Sequence, residues 1–191
     1  MNIPNTLSLV RMLLIPAFVV TFFMADGQGL VDPMRLLSAG ILVISGLTDL
    51  LDGYIARTYR QITELGKILD PLADKLTQAA ICICITIREP LFLIALIPFV
   101  LKEGLSLVAG ILLIKNKIRI PPSRWYGKIA TFVFYGVTIL LIAFGGQVPK
   151  EGIIAAGIAV CVLLIFSLMM YVPVYLEART EASKSREEMT T

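Results

Sequence analysis

Residues 36–57 read LLSAGILVISGLTDLLDGYIAR and residues 66–74 read GKILDPLAD. From Leu36 to Thr48 the first stretch carries no charge, so it suits the ~20-residue helix that crosses a bilayer. It then bears Asp49 and Asp52, and the second stretch opens another apolar run with Asp70 and Asp74. An ionised group in a hydrocarbon setting costs several kcal/mol unless it is paired, hydrated or bound to metal. Four such carboxylates need partners, and divalent cations are the expected ones.

Composition widens this reading to the whole chain. Its 191 residues are 57% hydrophobic and 16% charged, with a mean hydropathy of +0.85, which marks an integral membrane protein. The sequence has no histidine, so an imidazole base, nucleophile or ligand is excluded and carboxylates must carry the acid and base chemistry. Cys82, Cys84 and Cys161 lie in apolar runs without metal-ligand spacing and read as small packed hydrophobes.

The apolar segments near Leu7 to Met24, Arg35 to Thr58, Ile68 to Ile87, Leu91 to Ile114, Tyr126 to Phe144 and Gly152 to Leu176 predict an all-α integral membrane protein with six transmembrane helices. Residues 1–176 form one catalytic domain in this reading, and 177–191 form a polar C-terminal tail, an exposed helix end that frays. The first segment is a retained helix. Arg11 lies near its start, and the run continues past Pro16 without a small-residue cleavage site.

Positive charge collects after the second segment (Arg57, Arg60, Lys67), after the fourth (Lys115, Lys117, Arg119, Arg124, Lys128) and in the tail (Arg179, Lys184, Arg186). The opposite loops are poor in it. This predicts a multi-pass protein of the cell membrane with both termini in the cytoplasm. Asp49 and Asp52 then lie roughly 8 to 12 Å inside the cytoplasmic end at 1.5 Å per residue, and Asp70 and Asp74 return to a similar depth. Spacings of three and four put each pair on one helix face, and the two faces make a cleft open to the cytosol.

Gly53 and Ala56 continue the carboxylate face almost without side chain, which serves either helix packing or close approach of a ligand. Arg57 at the membrane surface can fork onto phosphate oxygens or act as a simple anchor. Pro71 withholds a backbone donor, so it either marks the first turns of the third helix or frees the Lys67 carbonyl. A cation transporter would also use intramembrane carboxylates. Here, however, they sit near one surface, with no inverted repeat and no polar path to the other side. A purely structural protein would retain four costly charges for no gain.

Asp49, Asp52, Gly53, Ala56, Arg57, Gly66, Asp70 and Asp74 together spell D-x2-D-G-x2-A-R-x8-G-x3-D-x3-D. With each residue type at roughly 5 to 8% usage, chance agreement of eight letters at one start is negligible. The string resembles the signature of the CDP-alcohol phosphatidyltransferases. The opening Asn2-Ile-Pro4-Asn5-Thr-Leu-Ser8-Leu-Val-Arg11 is similar to the amino terminus of bacterial phosphatidylglycerophosphate synthases. The resemblance is close over residues 1–75 and looser beyond.

It implies a membrane phospholipid-biosynthesis enzyme with two Mg²⁺ or Mn²⁺ ions. Asp49, Asp52 and Asp70 would hold them against the pyrophosphate of CDP-diacylglycerol, and Asp74 would share a metal and act as base. Gly53, Arg57 and Thr63 would contact the CMP portion, with Asn5, Ser8 and Arg11 closing over it. A homodimer is also implied, and no nucleic-acid partner.

The acceptor is expected to be glycerol 3-phosphate, giving phosphatidylglycerophosphate. Glycerophosphate-using members commonly show an arginine–glutamate pair in the fourth span, another arginine seven residues on, and Gly-Lys-x-Lys-Thr opening the fifth. Here the counterparts are Lys102-Glu103 with Ala109, and Gly127-Lys128-Ile-Ala-Thr131. Two of the basic groups are missing, which leaves open a cardiolipin-synthase-like enzyme acting on phosphatidylglycerol, or another alcohol. A dianionic acceptor needs further cations, and Lys102, Arg119, Arg124 and Lys128 are the candidates. Lys102 lies inside the fourth span, where pairing with Glu103 is expected to be poor because adjacent helix residues point apart.

Overall fold

A computed structural model describes residues 3–25, 32–58, 66–115 and 125–188, without the side chains of 3, 4, 54, 56, 57, 67, 68, 107, 109–115, 125–128 and 171–188. The described backbone is almost wholly helical: α1 (Ile3–Met24), α2 (Pro33–Thr58), α3 (Gly66–Arg88), α4 (Leu93–Lys115), α5 (Trp125–Phe144) and α6 (Lys150–Glu188), with a 3₁₀ turn at Pro90–Phe92 before α4. Each expected apolar segment lies within one of these helices or overruns it by two residues at most, and no strand occurs among the described residues.

The stretches Asn5–Met24, Pro33–Gly53 and Lys150–Met170 are long and apolar enough to cross a membrane, and Ile129–Phe144 is a shorter apolar stretch. The protein is therefore an all-α membrane protein. Leu13, Leu50, Phe132, Leu140 and Met169 point outward, as a lipid-facing surface requires.

The chain divides into two compact units, Met1–Phe92 with Tyr135–Ala156, and Leu93–Phe134 with Gly157–Thr191. In the first, α1 packs against both α2 and α3. Phe18, Phe22, Leu42, Ala73, Ile81, Ile85, Leu141 and Ile142 are buried there. Polar contacts supplement this packing, because apolar burial discriminates poorly between helix and lipid. Ser38 Oγ of α2 lies 2.9 Å from Thr21 Oγ1 of α1. At the same end of α1, Arg88 of α3 donates to the Ala25 carbonyl at 2.5 Å and lies over the Phe22 ring at 4.9 Å. In the second unit Phe99 and Phe134 stack at 6.3 Å, with Ala95, Val160 and Leu164 buried.

Two details of the sequence reading are resolved locally. Pro71 sits in the second turn of α3, so the helix starts before it and the carbonyl four residues back receives no bond from it. Cys82 and Cys84 are buried and Cys161 half-buried, all as free thiols.

Candidate active site

Asn5, Ser8 and Arg11 follow one another at intervals of three on α1, which places them on one face, and all three are buried. Arg11 is the largest fully buried side chain described, with 1% exposure. A buried guanidinium needs anionic partners. It finds them on α2: Arg11 Nη2 donates to Asp52 Oδ2, and Nη1 lies 2.5 Å from Asp49 Oδ1. The second contact is an ion pair by distance only, since Nη1 and Nε lack aligned hydrogen bonds among the described residues.

Asp52 is nearly sealed at 3% exposure while Asp49 is 48% exposed, so one carboxylate anchors the arginine and the other faces outward. One turn toward the start of α1, Ser8 Oγ donates to Asp70 Oδ1 of α3. Asp74, a turn further along α3, accepts from Gln78 Nε2 at 3.1 Å on Oδ1 and 3.0 Å on Oδ2, and from the Tyr135 hydroxyl of α5 at 3.2 Å on Oδ1.

The four aspartates are thus gathered within the first unit. Asp49 lies in electrostatic range of Asp70 and Asp74, and Asp52 of Asp49 and Asp70. Gly53 is half-buried beside them on α2.

Whether this set suits a divalent ion can be judged from its donors. No three of the described acidic or thiol groups converge as a ready-made cage. Arg11 and Ser8 occupy oxygens of three of the four carboxylates. The donor chemistry nevertheless fits, because Mg²⁺ is commonly held by one or two carboxylates with substrate phosphates completing the shell.

Residues 1–176 match the family model described as CDP-alcohol phosphatidyltransferase. The chain belongs to this family. It is 32% identical to the CDP-diacylglycerol--glycerol-3-phosphate 3-phosphatidyltransferase of Rickettsia felis over 155 residues, covering 76% of this chain and 78% of that one. The enzyme of the same name from Haemophilus influenzae is 31% identical over 185 residues, 91% of this chain and 92% of that one. The cardiolipin synthase (CMP-forming) of Streptomyces coelicolor is 34% identical over 147 residues, 76% of this chain and 67% of that one.

Against the family motif, the structure adds residues and corrects one expectation. Gln78 and Tyr135 reach Asp74 without belonging to the motif. The spacing of four from Asp74 could have revealed Gln78. Nothing local points to Tyr135, which is 61 positions away.

Lys102, in the second unit, does pair with Glu103: Nζ donates to Oε1 at 2.6 Å, with side chains 14% and 19% exposed. The expectation of a poor pairing was wrong, because two long side chains can bend around the helix although their Cα–Cβ bonds diverge. Thr63, Arg119 and Arg124 lie outside the described residues, as do the side chains of Arg57 and Lys128.

Proposed function

We propose that this CDP-alcohol phosphatidyltransferase transfers the phosphatidyl group of CDP-diacylglycerol to glycerol 3-phosphate, releasing CMP and forming phosphatidylglycerophosphate. The observation that carries the reading is the gathering of Asp49, Asp52, Asp70 and Asp74 by α2 and α3 under one buried face of α1. The names of the Rickettsia and Haemophilus relatives support the choice of acceptor.

In the proposed reaction the acceptor hydroxyl oxygen attacks the lipid-side phosphorus of the diphosphate in line. The bond to the CMP phosphate breaks, and the hydroxyl proton passes to Asp74. Asp49, Asp52, Asp70 and Asp74 would hold two Mg²⁺ or Mn²⁺ ions, which when bound neutralise the diphosphate and the leaving phosphate. Gly53, Arg57 and Thr63 are assigned to the CMP portion, with Asn5, Ser8 and Arg11 covering it. Lys102, Arg119, Arg124 and Lys128 are assigned to the acceptor phosphate.

The protein works in the cell membrane as a homodimer in this reading, with both termini and the cleft cytoplasmic. Residues 1–176 are the catalytic domain and 177–191 a polar C-terminal tail in this reading. Purified protein given CDP-diacylglycerol and Mn²⁺ is to be offered glycerol 3-phosphate, phosphatidylglycerol, serine and inositol phosphate, with the product identified by mass. Phosphatidylglycerophosphate is the expected product. Cardiolipin instead would favour the second reading, which rests on the Streptomyces relative and on Ala109 and Ala130 at positions where basic residues were expected.

A further inference from the structure

Helix α5 is strongly apolar beyond Lys128, and its polar side chains there are Thr131, Tyr135 and Thr138, spaced by four and three along one stripe. A phenol on such a helix needs an acceptor inside the protein, because lipid offers none. Tyr135 finds Asp74 Oδ1 at 3.2 Å, the carboxylate assigned above as base. Gln78 holds the same carboxylate from within α3, reaching both oxygens at 3.1 and 3.0 Å.

Each carboxylate oxygen has two lone-pair sites. Among the described residues Oδ1 receives both Tyr135 and Gln78, whereas Oδ2 receives only the Gln78 amide that the two oxygens share and is the less engaged of the two, the one left for an ion and for the reacting proton. We propose that Tyr135 is a positioning residue for the transfer reaction: its hydroxyl, with the Gln78 amide, fixes the Asp74 carboxylate so that Oδ2 accepts the proton of the acceptor alcohol. The O–H bond of the alcohol breaks at that oxygen as its O–P bond forms, and Tyr135 neither gains nor loses a proton. This inference rests on the assignment of Asp74 as base.

Tyr135→Phe removes the hydroxyl and keeps the ring. Turnover is expected to fall about tenfold, as for loss of an outer hydrogen bond to a working group. The Michaelis constants for both substrates stay within about twofold, and Mn²⁺ affinity, read by electron paramagnetic resonance, is also kept within about twofold. In an Asp74→Asn background the same change has no further effect on residual turnover, because the hydroxyl acts through Asp74.

Wild-type turnover in Tyr135→Phe overturns the proposal, and so does an equal loss in the Asp74→Asn background. A parallel loss of Mn²⁺ affinity also overturns it, since the hydroxyl would then act on ion binding. Should Tyr135→Phe fail to fold, Gln78→Met tests the same constraint, with turnover expected to fall at unchanged Michaelis constants and an undiminished rate refuting it. If Asp74→Asn alone keeps full turnover, the assignment of the base has failed, which is a different outcome from failure of Tyr135.

Discussion

Arg11→Met, measured with a chelator present so that no cation stands in for the guanidinium, tests the contact that ties α1 to α2. Arg11 is 1% exposed and its partner Asp52 3%, so removing the arginine leaves a sealed carboxylate without its counter-ion. Breaking one side of a buried pair typically costs ~3 to 5 kcal/mol. The Asp49 arm adds little, because a 48% exposed carboxylate is solvated and surface pairs contribute about 0 to 1 kcal/mol.

Taking the lower end, ~3 kcal/mol, and ~2 to 4 °C per kcal/mol for a chain of this length, the melting temperature in detergent should drop by about 6 to 12 °C. Adding Asp52→Asn to Arg11→Met removes the stranded charge and should restore most of that loss. Arg11→Lys keeps a charge but not the two-pronged reach, and should fall between wild type and Arg11→Met. A shift under about 2 °C for Arg11→Met, or no recovery with Asp52→Asn, would refute the view that this pair holds the helices together.

The other expectations concern roles and packing. Asp49→Asn and Asp70→Asn should abolish turnover together with metal-dependent binding of CDP-diacylglycerol, whereas Asp74→Asn should lose turnover by about 100-fold or more and keep binding, which equilibrium binding of labelled lipid will distinguish. A Cβ on Gly145 would come within 2.5 Å of the Leu141 carbonyl oxygen and 2.6 Å of Arg35 Nη1, so Gly145→Ala should destabilise by ~1 to 3 kcal/mol in a thermal melt. Gly136→Ala, with nothing among the described residues within 4 Å of the added carbon, should be neutral or stabilise by up to ~1 kcal/mol. Lys102→Met should raise the Michaelis constant for the phosphate acceptor about tenfold and that for CDP-diacylglycerol by less than about twofold; equal changes would make the lysine structural.

The helices were legible because each apolar run is bounded by charge or proline, and hydrocarbon leaves few alternatives to a helix. The end of α6 was less so. Loss of hydrophobicity after Leu176 marks the end of a span but not of a helix, and residues 177–188, EARTEASKSREE, have no glycine or proline to stop it, so the helix runs on to Glu188. The aspartates were legible because their chemistry is costly in place and their spacing fits one face. What they touch was not. That Arg11 meets Asp49 and Asp52, that Ser8 meets Asp70 and that Tyr135 meets Asp74 depend on how α1, α3 and α5 pack, which local periodicity does not encode.

Charge explains why the carboxylates and the arginine belong together in the proposed reaction. With all four ionised, Asp49, Asp52, Asp70 and Asp74 outweigh Arg11 by three negative charges, a field that would repel a diphosphate. One divalent ion would leave this set net negative, whereas two would make it net positive and receptive to the substrate. Two ions held by these carboxylates would also neutralise the attacked and leaving phosphates together. The same arithmetic gives Arg11 its place. A buried fixed cation lowers the repulsion among the carboxylates before any ion arrives, and its two contacts hold Asp49 and Asp52 on the face where the proposed reaction would use them.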